Sequence, residues 1–258
     1  MKKIVSLVVA ALVMCSCADS FLSEEPVGEF MPEQVESEEN IEGIVIGAYA
    51  VLDGYYASDA INSGCSNWQF GDVVSDDAYK GGGGTGDQNQ IHLMEIFNAN
   101  PTGIDFEARW AALYEGVKRC NQAIRLLSNS TVKNKEQRLA EMRFLRGHYY
   151  FNLKVIYNLI PWIDETVVDP NEYHTKSNME FTSDQLWEKI LGEFSAAYQV
   201  LPESQSDYGR PTKMAAKAYM AKVYLYQSKW KECLSACDEV IQSGKYTLYP
   251  DFREVFLP

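Results

Sequence analysis

Basic residues are scarce in the first part of this 258-residue sequence. Between Ile4 and Ala108 only Lys80 is basic, while the same stretch holds eighteen of the 36 acidic residues. The whole chain has a formal net charge of -13. Because such a chain repels phosphate backbones, its charge argues against nucleic acid as a partner. The same charge argues against adsorption to anionic lipid headgroups.

A long hydrophobic run is also missing at the N-terminus. Lys2 and Lys3 precede an apolar run of eleven residues, Ile4–Met14, whereas a membrane-spanning helix needs about 20. The run is therefore too short to be a membrane anchor by itself. A basic start, a short apolar segment and small residues after it are typical of an export signal.

Two cysteines at the end of the apolar run point to a lipid anchor. Cys17 follows the small residue Ser16, as a lipoprotein signal peptidase prefers, whereas Cys15 follows the bulky Met14. We therefore predict a lipoprotein signal peptide at residues 1–16, lipidation of Cys17 and an acidic tether at residues 17–40. An ordinary cleaved signal without lipid is the alternative.

The sequence has neither a zinc-site spacing nor a clear disulfide framework. Its three histidines are scattered, and no cysteine spacing resembles a metal site. Cys233 and Cys237 lie four residues apart on a predicted helix, where side-chain direction rarely permits a bridge. Cys65 and Cys120 could pair, and the sequence alone leaves that open. No metal site is predicted.

Catalytic and cofactor motifs are absent as well. The sequence has no P-loop lysine, no G-x-S-x-G elbow and no H-E-x-x-H. Gly81-x-Gly83-x-x-Gly86 matches the dinucleotide-binding pattern formally. However, five glycines in six residues satisfy many patterns by chance, and acidic residues flank the run. We predict no cofactor, no catalytic residue and no enzymatic activity.

The apolar pattern predicts an all-α protein. Apolar residues recur at helical spacing in six segments, and they alternate with loops in the manner of tetratricopeptide-like helical repeats. A capping-box pattern begins at Thr182, and a proline at Pro161 predicts the end of a helix. Residues 56–104 form a long irregular segment between the first two helices. The apolar stripe of the first predicted helix spans residues 41–55, and Ser37 is its candidate N-cap. The other predicted helices span residues 106–127, 135–159, 182–201, 212–227 and 229–242.

The irregular segment holds the candidate ligand residues. Trp68 lies in a polar stretch outside any apolar stripe, so its ring could stack on a sugar. Asp72, Asp76, Asp77 and Tyr79 follow closely and could bind sugar hydroxyls. Three other interpretations stay open: Trp68 covers the helical core, the acids together with Asp87 bind calcium, or two of them form a glycoside-hydrolysing pair.

Several separated motifs resemble the SusD/RagB family of outer-membrane nutrient-binding lipoproteins. The likeness covers nearly the whole chain, with Gly147 standing where the family usually has alanine. The motifs are Cys17 with Asp19 and Phe21-Leu22, Gly71-Asp72, Trp110-x-x-Leu113-Tyr114, Arg119-Cys120-Asn121, Glu141-x-Arg143-Phe144-Leu145-Arg146-Gly147-x-Tyr149-Tyr150-Phe151 and Gly209-Arg210-x-Thr212.

The resemblance implies a binding protein rather than an enzyme. It implies tetratricopeptide-like helix pairs carrying a loop-rich face, a lipid anchor in the outer membrane facing outward, and a SusC-like TonB-dependent transporter as partner. Family members bind glycans, and some bind peptides. They are typically twice as long as this chain, so residues 41–258 correspond to an N-terminal helical domain that is truncated. A peptide-binding or purely protein-docking scaffold is the alternative.

Overall fold

Every regular element in residues 38–54 and 68–256, the part of the chain that this computed structural model describes, is helical. The prediction of an all-α fold is confirmed. None of these helices is long and apolar enough to cross a membrane. Short 3-10 turns occur at Val51–Asp53 and Phe252–Phe256, and a π-helical turn occurs at Trp68–Asp72. The helices are α1 (Glu38–Ala50), α2 (Asn89–Glu95), α3 (Ile104–Asn129), α4 (Lys135–Tyr157), α5 (Pro170–Tyr173), α6 (Ser183–Val200), α7 (Lys213–Tyr226) and α8 (Trp230–Gln242).

The long helices stack in chain order. α1 packs on α3, α3 on α4, α4 on α6, α6 on α7, and α7 on α8. This succession is the helical-repeat arrangement that the apolar stripes predict. α4 lies in the middle of the stack. Its sequence carries two apolar stripes, which predict packing on two sides: Leu139, Met142, Leu145, Tyr149, Leu153 and Ile156 form the first, and Phe144, His148, Phe151 and Val155 form the second. The second stripe ends at Phe151, because Val155 is 41% exposed.

Capping residues explain several helix boundaries. The capping box of Thr182 and Gln185 is present at the start of α6, and the Thr212 hydroxyl accepts a hydrogen bond from Ala215 N at the start of α7. α4 ends earlier than predicted, because Asn158 adopts a left-handed φ of 63° before Pro161 is reached. The proline is therefore not what stops this helix.

Several predictions fall on residues outside the described ranges. They are the signal peptide, Cys17, most of the tether and Cys65. α1 begins at Glu38, so the last three residues of the predicted 17–40 tether are helical. Cys120 is a free buried thiol, and burial raises its pKa.

A buried ion-pair network joins α3, α4 and α6. Arg146 is only 2% exposed, and its guanidinium donates to both Glu193 carboxylate oxygens at 3.1 and 2.8 Å. It also donates to Asn121 Oδ1 at 2.8 Å and forms a short ion pair with Glu165. Asn121 in turn donates to Ile163 O at 2.9 Å. The network therefore fastens the 161–167 segment to the helical stack.

A second network ties α1 and the 202–211 loop to α4. The Glu141 carboxylate is fully buried, with Arg138 and Arg210 each 2.7 Å away. Both arginines also pair with Glu42 of α1. The Tyr49 hydroxyl donates to Glu141 at 3.0 Å, and burial together with the Glu141 charge raises the tyrosine's pKa.

Gly116 is required where α3 approaches α4. A Cβ at this position would lie 2.6 Å from the Tyr149 ring. That ring cannot retreat easily, because it is fully buried and its hydroxyl donates to Ala48 O at 2.7 Å. Gly192 offers a matched contrast on α6, since it is exposed and no atom lies within 4 Å of a Cβ there.

These two glycines are expected to respond to alanine with opposite signs. Gly116→Ala should lower the free energy of unfolding by about 1–3 kcal/mol, because overpacking outweighs the gain in helix propensity. Gly192→Ala should raise it by up to about 1 kcal/mol, because alanine favours the helix and meets no obstacle. Urea unfolding followed by circular dichroism measures both. Stabilisation by Gly116→Ala would show that the helices do not pack this closely.

Candidate functional site

The segment from residue 68 to residue 100 is fixed to the N-terminal half of α3. Phe70, within the π-helical turn, packs edge-on against Phe106 with ring centroids 5.6 Å apart. The Arg109 guanidinium lies 5.6 Å from the centre of the Phe70 ring. Gln69 and Val73 are buried on either side. The segment therefore begins on a rigid support.

The glycine run wraps around the ammonium group of Lys80. This lysine is nearly buried, and its Nζ donates to Gly84 O at 3.1 Å and to Asp87 O at 2.5 Å. The Asp87 carboxylate accepts a hydrogen bond from Gly83 N at 2.9 Å. A Cβ on Gly82 would collide with Asp87, and Gly82 has a left-handed φ of 75°. The run is a closed structural loop rather than a cradle for phosphate.

Hydrogen bonds to Glu95 attach this glycine loop to α2. The Glu95 carboxylate accepts from Lys80 N at 3.1 Å and lies 3.2 Å from His92 Nδ1. The bond from Lys80 N, and then the contact with His92, lowers the pKa of Glu95. The carboxylate is thus charged at neutral pH and can hold the 79–80 backbone beside the end of α2.

The acidic candidates lie in a surface turn. Asp72, Asp76 and Asp77 are exposed, and the Ser75 hydroxyl bridges Asp72 O and the Asp77 carboxylate at 3.2 Å each. Asp76 takes a left-handed φ of 66°. The structure therefore brings these acids into one turn, directly after the π-helical residues.

The aromatic candidates differ in exposure. Trp68 opens the π-helical turn and is half-buried, and its carbonyl accepts from Val73 N at 2.8 Å. Tyr79 is 77% exposed at the other end of the turn, next to Lys80. Tyr79 is therefore better placed than Trp68 to present a ring face to a ligand.

Asp87 does not join the other acids, because its carboxylate is turned toward Gly83 N. Within residues 38–54 and 68–256, no three His, Cys, Asp or Glu side chains are grouped so that they could hold a metal ion. The calcium interpretation of these acids therefore finds no supporting cluster in the described part of the chain.

Phe97 is the residue that the sequence analysis missed. It follows α2, is 77% exposed and has a left-handed φ of 54°, which is a costly conformation for an aromatic residue. Hydrogen bonds from Phe97 N to Met94 O (3.1 Å) and from Asn98 N to Leu93 O (2.7 Å) hold the turn. Phe97 follows the apolar residues Leu93, Met94 and Ile96, so no polar context marks it in the sequence as it marks Trp68.

Tyr79 and Phe97 flank the same junction. The bond between Lys80 N and Glu95 joins the residue after Tyr79 to a residue two positions before Phe97. Two exposed rings and a turn of exposed carboxylates thus belong to one segment, residues 68–100, which we call the loop layer. Rings and oxygen acceptors are the groups that bind the apolar faces and the hydroxyls of sugars.

Most of the segments that resemble the SusD/RagB family, though not Cys17 and Asp19, are covered by a family model. The model is the SusD-like one described as "Starch-binding associating with outer membrane", and it covers residues 20–225. The chain belongs to the SusD-like family. The resemblance stated from the motifs is confirmed.

Curated SusD-like relatives align over most of this chain. SusD-like protein P2 of Formosa agariphila is 25% identical over an alignment of 266 positions, gaps included, that covers 98% of this chain and 49% of that protein. A SusD-like protein of Bacteroides ovatus is 25% identical over 242 residues, covering 88% of this chain and 40% of the relative. This SusD-like chain therefore spans about half the length of the curated relatives it matches.

Solved structures of SusD-like proteins share the fold. Surface glycan-binding protein A from Bacteroides thetaiotaomicron, in complex with laminarihexaose, superposes with a TM-score of 0.70 at 29% identity, over 85% of this chain and 46% of that one. Surface glycan-binding protein A from Bacteroides fluxus gives a TM-score of 0.71 at 28% identity, over 86% and 47%. The predicted helical-repeat architecture is therefore that of known SusD-like structures.

The family motifs mark structural residues in this chain. Asn121 and Arg146 belong to one buried network, and Glu141 and Arg210 belong to the other. Gly147, where alanine is usual, lies against Phe194, and a Cβ there would approach that ring to 2.9 Å. These motif residues build the scaffold, whereas the loop layer carries the exposed groups.

Proposed function

We propose that this SusD-like chain is a non-catalytic lipoprotein that binds glycan on its loop layer and delivers it to a SusC-like TonB-dependent transporter. The observation that carries the proposal is the pair of exposed rings, Tyr79 and Phe97, beside the acidic turn of Asp72, Asp76 and Asp77. A relative with the same fold is known in complex with laminarihexaose, which supports an oligosaccharide as the ligand.

The loop layer suits this task because it is held in place before a ligand arrives. The Glu95 carboxylate fixes the backbone after Tyr79 through Lys80 N, and Asp72 O fixes the residue before it through Ala78 N at 3.0 Å. A preformed site loses less conformational entropy on binding, so a larger share of the stacking energy contributes to affinity. Trp68 belongs to the same proposed site through the exposed part of its half-buried side chain.

The proposed location is the outer membrane, with the protein anchored through lipid on Cys17 and facing the cell exterior. The sequence of residues 1–17 supports the anchor, and the description of the family as associating with the outer membrane supports the compartment. Residues 17–37 would then be the acidic tether, and the helical stack would be the N-terminal half of a longer relative's architecture.

Removing the exposed rings should weaken glycan binding. Tyr79→Ala and Phe97→Ala are each expected to raise the Kd for laminarihexaose about 5–10-fold, because each loses one stacking surface. Trp68→Ala should have a smaller effect, since its ring is half-buried. Isothermal titration of the full chain measures these constants.

Tyr208→Ala is the matched control, because Tyr208 is fully exposed outside the loop layer. Its Kd should equal that of the wild type. If Tyr79→Ala and Phe97→Ala also bind like the wild type, the loop layer is not the glycan site.

A protein-docking scaffold without sugar binding is the second candidate. The exposed apolar side chains of Trp230, Leu234 and Ile241 on α8 favour it, because such surfaces are typical of docking sites. Retention of a protein partner by a chain that binds no glycan would support this alternative over the first proposal.

A further inference from the structure

A cleft of about 350 Å³ lies between α3 and the segment from residue 161 to residue 174. None of the loop-layer residues lines it. Its volume falls in the range of small-molecule sites, about 300–1,000 Å³. The cleft is walled by aromatic rings on both sides, from Trp110 and Tyr114 of α3 and from Tyr173 of α5.

The α3 wall of the cleft is rigid. The Trp110 ring lies 4.7 Å from that of Tyr114 and meets Tyr157 edge-on at 4.9 Å. The Tyr114 hydroxyl donates to Pro161 O at 2.7 Å, which also fixes the opposite wall. Asn121 fastens that wall a second time through Ile163 O. The cleft is therefore preformed rather than opened by a ligand.

The polar groups at the rim leave a positive charge uncompensated. Glu115 is already paired with Arg119 at 2.9 Å. Lys118 is exposed, and in residues 38–54 and 68–256 no carboxylate lies within ion-pair distance of its Nζ. His174 is exposed on the other wall and likewise has no such partner in this part of the chain. This local charge favours an anionic ligand, although the net charge of the whole chain is -13.

We infer that this cleft binds a uronic acid residue of an acidic glycan. The pyranose ring lies against Trp110 and Tyr114, whose rings contact its C–H face. The carboxylate points to Lys118 and His174, with which it forms charge-assisted hydrogen bonds. A phosphate would leave the aromatic walls unused, and a neutral sugar would leave Lys118 unused. The inference is independent of the loop layer.

A matched pair of sugars tests the inference. Methyl β-glucuronide and methyl β-glucoside differ only in the oxidation of C6, and ligand-observed NMR at low salt gives the Kd of each for the full chain. The glucuronide is expected to bind about ten-fold more tightly, because only it forms a charge-assisted hydrogen bond. Equal affinity for the two sugars would overturn the inference.

Single substitutions test whether the two sugars bind in the cleft. Lys118→Gln should abolish the preference for the glucuronide, whereas Lys133→Gln, which removes an exposed charge that does not line the cleft, should preserve it. Tyr173→Ala should raise the Kd of both sugars about five-fold, because one ring contact is lost. Tyr79→Ala should leave the Kd of both sugars unchanged. That result would separate the cleft from the loop layer. A preference that survives Lys118→Gln would refute the cleft as the site.

Discussion

Arg146→Met is expected to lower the free energy of unfolding by about 3–5 kcal/mol, the largest loss among the substitutions considered for the helical stack. The reason is that Glu193 would keep a buried carboxylate without its two hydrogen bonds, and Asn121 Oδ1 and Glu165 would lose their partner as well. Breaking one side of a buried ion pair costs more than the pair contributes, because the remaining charge stays desolvated. Urea unfolding at neutral pH measures the loss.

Arg143→Met is the matched control for this substitution. Arg143 lies on the same helix and approaches the same carboxylate, but its closest nitrogen is 3.7 Å from Glu193 and its side chain is 38% exposed. An exposed pair of this kind is worth less than about 1 kcal/mol. Similar losses for the two variants would mean that burial of the Arg146 network does not govern its strength.

Glu141→Ala is expected to cost about 3–4 kcal/mol, because it removes the buried carboxylate on which two arginines and a tyrosine hydroxyl converge. Arg138 and Arg210 keep Glu42 as a shared partner, so the loss should be somewhat smaller than for Arg146→Met. Amide hydrogen exchange should also become faster in residues 203–211, since Arg210 holds that loop to Glu141.

Glu188→Ala provides the comparison for Glu141, since Glu188 is exposed in the middle of α6. Its effect on the free energy of unfolding should stay within about 0.5 kcal/mol. If Glu141→Ala were equally mild, or if exchange in the 203–211 loop did not change, the second network would not be what fastens that loop.

The sequence predicts the helical stack well because its signals are local and periodic. The stripe on α3 and the two apolar sides of α4 follow directly from spacing, and the Thr182 capping box specifies where α6 begins. Helix boundaries are harder to predict, since α4 ends at Tyr157, where Asn158 takes a positive φ, three residues before the conspicuous Pro161.

The loop layer could be predicted only in part. Trp68, Asp72, Asp76, Asp77 and Tyr79 fall in it as a group, although their roles as ligand contacts stay a prediction. α2 lies inside the segment that the sequence analysis expects to be irregular, because seven residues are too few for a recognisable apolar stripe.

Hydrogen bonds between side chains and backbone explain what the sequence could not show. The closure of the glycine run depends on the Lys80 ammonium reaching Gly84 and Asp87. The attachment of Lys80 to α2 depends on Glu95, fifteen residues further along. Such contacts follow from the folded path of the chain, which no residue spacing encodes.

NMR of the full chain can map where a neutral glycan binds. With laminarihexaose added to ¹⁵N-labelled protein, amide shifts should concentrate in residues 72–100, above all around Tyr79 and Phe97. The absence of any shift, or shifts confined to α7 and α8, would contradict glycan binding by the loop layer.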